Sequence, residues 1–581
     1  MASTTPISRH IWDAKYRFRG PGAADASIED TWRRIARALA AAETAVQWEE
    51  QFYRTLSDFR FLPGGRIQAG AGTGRRVTLF NCFVMGAIED SMDGIFDGLK
   101  EGALTMQQGG GVGYDFSTLR PQGTPAKAVG GVASGPVSFM RIWDAMCGTL
   151  LSTGARRGAM MATLRCDHPD IERFIEAKQT PGQLRNFNLS VLVTDALMQA
   201  VREDADWALV FPDKDAPNSS IHRHVPARAL WETLMRATYE YAEPGVLFID
   251  RINRLNNLWY CEQISATNPC GELPLPPYGA CDLGSINLTV FVRDPFGARA
   301  SLDLDAIGET ARVAVRMLDN VISVSQFPLA KQAEMARGAR RVGLGVTGLS
   351  DTLIMLGLHY GEPPARELAA RVMRTICHSA YRSSIELARE KGSFPLFDRD
   401  RYLTGEYVRT LPADIREDIV RHGIRNSHLT AIAPTGTISL LANNVSSGIE
   451  PVFDFQHKRR VLELDGRTVE HELTDYAYEL WRSRSEGQLL PRAFVRAHEL
   501  PPAAHLDMQA ALQPYVDSSI SKTINVPVDL PFENFKDIYR SAFDLGLKGC
   551  TTYRPNAVTG AVLEASSETA QLCCVPEREA D

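Results

Sequence analysis

From about residue 60 to about residue 555 the chain runs without a linker, a repeat or a low-complexity stretch, and that continuity limits the fold more than any single motif. Strand-like apolar runs (VTLFNCFVMG, LSVLVTD, HLTAIAP) alternate with amphipathic stretches such as ADIREDIVRHG. Alternation of this kind builds α/β architecture, with strands in a sheet and helices on its faces. A chain of 581 residues would ordinarily divide into several domains, but the missing linker favours one large unit. Ahead of it, Ser27-Ile28-Glu29-Asp30 has the pattern of a capping box, with Ser27 as N-cap and Asp30 reaching back. The following TWRRIARALAAAETAVQWEEQFYRTL carries apolar residues at helical spacing. The reading is a helical N-terminal region over 1–60, an α/β body over 61–556, and a polar segment over 557–581 expected to be a flexible tail.

Bulk chemistry narrows the function classes. With 44% hydrophobic and 23% charged residues the chain can bury a large core. A net charge of −7 argues against a nucleic-acid binder, whose usual mark is a basic surface. It leaves nucleotides open, because helix N-termini and backbone N–H groups hold phosphate without bulk positive charge. The N-terminus lacks the apolar core of a signal peptide, and no apolar run reaches the ~18–20 residues that span a bilayer. No membrane contact and a cytoplasmic location are therefore expected. In a reducing cytosol the ten cysteines would not form a disulfide framework. C-x-x-C is absent, so no metal site is expected.

Three short segments carry the chemical signal: Leu79-Phe80-Asn81-Cys82-Phe83-Val84, Asn268-Pro269-Cys270-Gly271-Glu272, and Ala280-Cys281-Asp282-Leu283-Gly284-Ser285-Ile286-Asn287-Leu288. Pro269 and Gly271 flank Cys270 and exclude a regular helix there. On extended backbone Asn268, Cys270 and Glu272 would point the same way. A thiol between an amide and a carboxylate is a usable active-site row. The thiol could carry a nucleophile or a radical, the carboxylate could be a general base, and the amide could orient a substrate hydroxyl.

The Asn-x-Cys-x-Glu loop resembles the finger loop of the ribonucleotide reductase large chain, and the likeness runs from about residue 7 (ISRHIWDAKY) to about 556. It implies a ten-stranded α/β barrel with a central finger loop, preceded by the helical N-terminal region. It also implies roles. Cys270 would become a thiyl radical that abstracts the ribose 3′-hydrogen, Glu272 would take the 3′-hydroxyl proton, and Asn268 would hold that hydroxyl. Cys82, in its Asn-Cys-Phe-Val context, and Cys281, in CDLGSINL, would be the reducing pair that ends as a disulfide, with Asn81 in the substrate site. The organic chemistry would belong to the cofactor and the substrate, with the protein orienting and shielding it.

Ala433-Pro434-Thr435-Gly436-Thr437-Ile438-Ser439 follows an apolar run, and hydroxyls with a glycine at a strand-to-helix turn make an anion cradle. It resembles the family's substrate-phosphate loop, which implicates Pro434, Thr435, Gly436, Thr437 and Ser439. Asp90, Ser91 and Arg120 resemble an allosteric site where a deoxynucleoside triphosphate or ATP is held at a homodimer interface. Arg157 resembles the loop that passes effector identity to the substrate. Gly343-Leu344-Gly345-Val346-Thr347-Gly348 is a literal G-x-G-x-x-G, but ARGARR ahead of it reads as no buried strand, so a dinucleotide fingerprint is set aside and the glycines are read as a tight turn before LSDTLIMLG.

Three radical sources occur in the family this chain resembles. Gly560 does not look like a glycyl-radical loop. A relay from a separate metal-radical subunit uses two adjacent tyrosines, whereas Lys548-Gly549-Cys550-Thr551-Thr552-Tyr553-Arg554 has one. KGCTTYR and ISRHIWDAKY resemble the adenosylcobalamin-dependent class. The D-x-H-x-x-G signature of many cobalamin proteins is missing, and Asp454-Phe455-Gln456-His457 does not match it. The resemblance implies reduction of ribonucleotides, read as diphosphates, with a thioredoxin- or glutaredoxin-type reductant acting through a tail pair for which Cys573 and Cys574 are the candidates. Being adjacent, those two would bridge poorly. Cys147, Cys166, Cys261 and Cys377 are read as structural, and Cys550 has no assigned role. The alternatives are a large subunit served by a separate metal-radical subunit, and a nucleotide-binding regulator without catalysis.

Overall fold

A computed structural model describes residues 4–20, 24–126, 130–152, 156–180, 182–212, 221–462, 468–485, 488–555 and 563–565. Nine strands carry the body: β1 (Cys82–Val84), β2 (Gly111–Asp115), β3 (Met160–Arg165), β4 (Phe187–Val193), β5 (Gly245–Phe248), β6 (Ala280–Asn287), β7 (Val342–Thr347), β8 (Thr523–Asn525) and β9 (Gly549–Tyr553). With Phe61–Pro63, which pairs antiparallel with the far end of β6, they form one continuous ten-stranded sheet. Single bridges from Leu344 to Thr430 and from Ile432 to Ile520 join its two edges through residues 430–432. The sheet is thus closed into a barrel.

The barrel has two halves. β1 to β5 run parallel to one another. β6, β7, residues 430–432, β8 and β9 also run parallel to one another. The halves meet antiparallel at two seams, β1 against β6 and β5 against β9. Strands covered on both faces read as nearly continuous apolar runs, and β6 and β7 are buried along their whole length. The helices Leu304–Val324 and Pro363–Lys391 pack together outside the β6–β7 side.

The N-terminal region is helical as expected. Ser27 caps Ile28–Ala40, and its Oγ accepts the Asp30 N–H while the Asp30 carboxylate accepts the Ser27 N–H. Trp32, Ile35, Ala36 and Leu39 face the core at helical spacing. Further helices span Pro6–Ile11 and Gln47–Leu56.

Two readings need correction. Gly343 and Gly345 lie inside β7, paired with β6 throughout, and are not a turn. A Cβ on Gly345 would stand 2.3 Å from the Ala431 carbonyl oxygen, so the missing side chains let residues 430–432 close the barrel. Only Gly348 (φ 73°) makes the turn into Leu349–Met355. In addition, Leu563–Ala565, inside the expected tail, pairs with the hairpin strand Gln456–Leu462.

Candidate active site

The finger is a hairpin whose strands Ala266–Thr267 and Pro274–Leu275 pair antiparallel and carry residues 268–273 at the tip. It crosses the barrel against β2 and β3, and the Thr163 hydroxyl of β3 donates to the Ser265 carbonyl at 2.9 Å. The run Gly109-Gly110-Gly111-Val112-Gly113 explains how it fits: a Cβ on Gly113 would come within 1.8 Å of the Thr267 carbonyl oxygen. The tip is fixed by its own backbone. Asn268 N–H donates to Leu273 O at 3.2 Å, and Leu273 N–H donates to Asn268 Oδ1 at 3.0 Å. Gly271 supplies the left-handed residue (φ 83°) that turns the chain after Cys270.

Cys82 and Cys281 stand opposite each other as register partners across the β1–β6 seam. Directly opposed residues of an antiparallel pair lie within the Cα separation a disulfide needs. Both are buried in a small apolar cluster with Val84, Leu273, Leu275 and Leu283. Asn268 Nδ2 donates to Cys82 Sγ at 3.2 Å, which ties the finger to the pair. Burial, with Asp282 beside it, pushes the Cys281 thiol well up and keeps it protonated. Among the described residues there is no disulfide.

Glu272 is fully buried, and its carboxyl is pushed up to about 7 by burial, against a smaller opposing contribution from Asn268. Its Oε2 has no hydrogen-bond partner. An orphaned buried acceptor costs about 1–3 kcal/mol, and Glu272 lies next to the tip residues that line the cavity without lining it itself. Ser519 N–H donates to the Glu272 carbonyl at 2.9 Å and anchors the tip to the strip that closes the barrel.

A cavity of about 320 Å³ opens at the finger tip. Pro269, Cys270 and Gly271 form one wall, Asn188–Ser190 and Gly245–Leu247 another, and Pro434, Gly436 and residues 444–447 a third. Cys270 is half-buried, unlike Cys82 and Cys281. The structure therefore brings together Cys270 at the cavity, the Cys82–Cys281 pair behind it, and Asn268 and Glu272 between them. Asn81 is buried, and its carbonyl accepts the Gly111 N–H at 2.8 Å. It is not among the residues lining the cavity.

The phosphate turn is built differently from its sequence reading. The hydroxyls of Thr435 and Ser439 are taken up by each other (3.0 Å) and by Thr347 (2.9 Å each). The Gly448 N–H also donates to Thr435 Oγ1 at 2.7 Å. These bonds shape the turn, and Thr437 is buried. What faces the cavity is Pro434 and Gly436, at the start of the short helix Gly436–Leu441.

Asp90 and Arg120 are brought together: Arg120 Nε donates to Asp90 Oδ2 at 2.8 Å, and its N–H donates to Oδ1 at 3.2 Å. Ser91 caps the helix Met92–Gln107. Arg157 lies on a short strand, Arg156–Arg157, paired with Leu151–Ser152. Cys573 and Cys574 lie outside the described residues. Cys147, Cys166 and Cys377 are buried, but Cys261 is exposed. Cys550, which had no assigned role, lines the cavity.

Sequence reasoning missed Asn188, whose Nδ2 donates to the Pro269 carbonyl at 2.7 Å, and Ser519 and Gly113, which seat the finger. Asn188 was detectable as a polar residue in the apolar strand FNLSVLV, and Gly113 as part of the glycine run. Nothing in the sequence marks Ser519.

Comparison with known proteins gives the family of this fold. Residues 80–553 match the family model described as ribonucleotide reductase, barrel domain, and residues 2–76 match ribonucleotide reductase, all-alpha domain. The chain is 39% identical over 558 residues to a vitamin B12-dependent ribonucleoside-diphosphate reductase of Mycobacterium tuberculosis (strain CDC 1551 / Oshkosh), covering 92% of this chain and 77% of that one. It is 37% identical over 564 residues to the protein of the same name from Thermoplasma acidophilum, covering 94% and 70%. Identity falls to 25% over 551 residues with the ribonucleoside-diphosphate reductase large subunit of vaccinia virus, covering 85% and 70%.

Proposed function

The chain belongs to the ribonucleotide reductase family, and from that premise we propose that it reduces ribonucleoside diphosphates to 2′-deoxyribonucleotides with adenosylcobalamin as the radical source. The observation that carries the reading is the opposed Cys82–Cys281 pair, joined through Asn268 to a finger whose Cys270 faces the cavity.

Each residue then has a step. The Cys270 thiyl takes the ribose 3′-hydrogen. The Glu272 carboxylate accepts the 3′-hydroxyl proton, using the oxygen that has no partner in the chain. Asn268 orients that hydroxyl. The 2′-hydroxyl leaves as water with a proton from the thiol pair. Cys82 and Cys281 supply two electrons, give their second hydrogen to C2′ and become a disulfide; Glu272 returns its proton to the 3′-oxygen and Cys270 the hydrogen to C3′. The sum is one C–O bond and two S–H bonds broken, with one C–H bond, one S–S bond and water formed. The raised Cys281 thiol suits a hydrogen donor, because it stays protonated at neutral pH.

The residues around Cys270 fit the cofactor. Nothing stands within 4 Å of where a Cβ on Gly271 would point. The cavity continues past the tip to Ser190, Gly245, Val246, Cys550 and Thr551, which would hold the part of the cofactor that reaches the thiol. Bound there, adenosylcobalamin supplies the one-electron chemistry that makes the thiyl. The chain's task is to keep water from a sulfur that only this side exposes.

The diphosphate is held by backbone N–H groups at the start of Gly436–Leu441, since the first N–H groups of a helix lack internal partners. Asp90, Ser91, Arg120 and Arg157 serve a deoxynucleoside triphosphate or ATP effector. A homodimer is supported by Met92, Phe96 and Leu104, exposed apolar side chains that share a row with Lys100 on the helix that Ser91 caps. A thioredoxin- or glutaredoxin-type reductant, working through Cys573 and Cys574, regenerates the dithiol. The setting is cytoplasmic. Among the described residues, no helix is long and apolar enough to cross a membrane.

Two other readings lose support. A large subunit fed by a separate metal-radical subunit is disfavoured by the B12-dependent names of the more similar relatives and by the single tyrosine in KGCTTYR. A regulator without catalysis would not need the intact cysteine, Asn and Glu set. The test is an anaerobic assay with adenosylcobalamin, a dithiol and each ribonucleotide, with no second protein. Turnover is expected, and Cys270→Ala should abolish it while cobalamin still binds. Deoxynucleotide formation by that variant would reject the assignment.

A further inference from the structure

The opening stretch ISRHIWDAKY takes no part in the steps above, yet the fold sets it directly behind one wall of the cavity. Thr5 caps the helix Pro6–Ile11, its side chain accepting the Ser8 N–H at 3.3 Å. Ile7, Ser8 and Ile11 are buried, and Arg9 is exposed. The helix packs against Gly436–Leu441, and Ser8 meets a residue 433 positions further along the chain.

That contact completes the end of the second helix. A helix leaves its last carbonyls without internal partners. Those of Ile438, Ser439 and Leu440 accept the N–H groups of Ala442, Val445 and Asn444, at 3.0, 3.2 and 3.4 Å. The Leu441 carbonyl accepts the Ser8 hydroxyl, in a buried bond. The chain then passes through Asn443 (φ 64°) and Asn444 (φ 59°), two consecutive left-handed residues that are not glycine. Such backbone persists only where its surroundings hold it. Here Asn443 Oδ1 accepts the Thr5 N–H at 2.9 Å, and Asn444 Nδ2 donates to the Thr474 carbonyl at 2.8 Å. Residues 444–447 line the cavity, as do Pro434 and Gly436 at the other end of the helix.

The opening helix is itself held on two further sides. His10 lies against His471, with ring centroids 4.7 Å apart, on the strand Thr468–Thr474 that pairs with Gln456–Leu462. Just past the helix, Trp12 Nε1 donates to the Thr31 hydroxyl of Ile28–Ala40 at 2.9 Å. The N-terminal region therefore reaches the cavity wall through this one short strap.

We infer that Ser8 is a positioning residue: through the Leu441 carbonyl, and with the Thr5 N–H on Asn443, it sets from behind the wall of Pro434, Gly436 and residues 444–447 that receives the substrate's diphosphate. The inference rests on reading that wall as the substrate-phosphate turn. Ser8 itself touches no substrate. A buried acceptor stripped of its donor is costly, so loss of the hydroxyl loosens Gly436–Leu441 at the end from which residues 444–447 depart.

Two measurements on the full chain test this. In hydrogen exchange with mass spectrometry, without ligand, Ser8→Ala should lower the protection of residues 436–447 by about tenfold or more. Leu304–Val324, the internal reference, should hold, and Arg9→Ala, on the exposed side of the same helix, should match wild type. In the anaerobic turnover assay with CDP, Ser8→Ala should raise KM about tenfold and leave kcat within about threefold, because the wall binds the phosphates while Cys270 and Glu272 ride on the finger. Unchanged protection of residues 436–447 in Ser8→Ala overturns the inference, and so does an equal fall in Arg9→Ala. A lowered protection with KM unmoved overturns it too, since Ser8 would then serve the fold alone. If Ser8→Ala does not fold, wild type decides: CDP should raise the protection of Pro6–Ile11 together with residues 436–447. No gain over Pro6–Ile11 overturns the inference, and no gain over residues 436–447 rejects the phosphate reading. A chain with the expected protection pattern but no turnover of CDP would reject the reductase reading and leave the hold of Ser8 on the wall standing.

Discussion

The seating of the finger can be broken at one atom. Gly113→Ala places a Cβ 1.8 Å from the Thr267 carbonyl oxygen, where ordinary contact begins at 3.4 Å. Backbone lies on both sides, one a barrel strand and the other the finger, so no flexible side chain can swing away. The finger must retreat by ~1.5 Å, because repulsion at that range is not compressible. Overpacking of this kind costs about 1–3 kcal/mol of stability, which a body of this size survives. Catalysis suffers more, since a misplacement of about 1 Å is worth on the order of 100-fold, and Cys270 and Glu272 both ride on the finger. Gly111→Ala is the matched control: its Cβ would meet the ring of Pro269 at 3.3 Å and the Asn81 carbonyl oxygen at 3.5 Å, both near ordinary contact. The assay is single-turnover deoxynucleotide formation by pre-reduced protein, with thermal denaturation alongside. Gly113→Ala should lose at least ~100-fold with its fold retained, and Gly111→Ala no more than about fivefold. Gly113→Ala within threefold of wild type would refute the claim that this glycine seats the finger.

Glu272 should impose a pH limb. With its carboxyl at about 7, the ionised base accumulates as pH rises from 6 to 8, so turnover should climb through that window. Glu272→Gln should lose the limb and ~100-fold or more of the rate. Because the folded value exceeds the ordinary 4.5, burial of this group costs stability progressively as pH rises through about 7. The Gln variant should therefore be the more stable protein at pH 8, by about 3 kcal/mol in chemical denaturation; equal midpoints there would show that Glu272 is not buried as described. Cys82→Ser should give at most one defective turnover. In wild type, one turnover without reductant should link the Cys82 and Cys281 peptides, read by differential alkylation and mass spectrometry. Sustained turnover by the variant would remove Cys82 from the redox pair.

Much of this was legible in the chain because it is written locally. The capping box at Ser27 and the alternation that marks α/β architecture each lie within a short window. The cysteine segments could be placed in order, and the row Asn268, Cys270, Glu272 read from flanking Pro and Gly. What failed depended on contacts remote in sequence. Gly343 and Gly345 read as a turn because the strand that needs them bare, residues 430–432, lies almost 90 residues on. The bonds from Thr347 to the hydroxyls of Thr435 and Ser439 were not legible because Thr347 is equally distant in sequence. HLTAIAP, read as a strand, does lie in the barrel wall, with backbone hydrogen bonds to β7 on one side and to residues 518–521 on the other.

The topology gives a reason for where the sulfurs sit. In a parallel ladder the hydrogen bonds are slanted and neighbouring residues are staggered, whereas an antiparallel pair sets two residues face to face. Two thiols on adjacent strands that must close into a disulfide and reopen on each cycle, without backbone movement, need the second arrangement. A barrel made of two parallel halves has two such places. One, β1 against β6, holds Cys82 and Cys281. The other, β5 against β9, sets Val246 opposite Cys550, and both line the open side of the cavity. The finger spans the interior between them, with Asn268 on Cys82 and Cys270 at the cavity. On the proposed function, reducing equivalents would reach the sugar from the first seam and the radical from the direction of the second, with Cys270 facing the cavity from the finger tip.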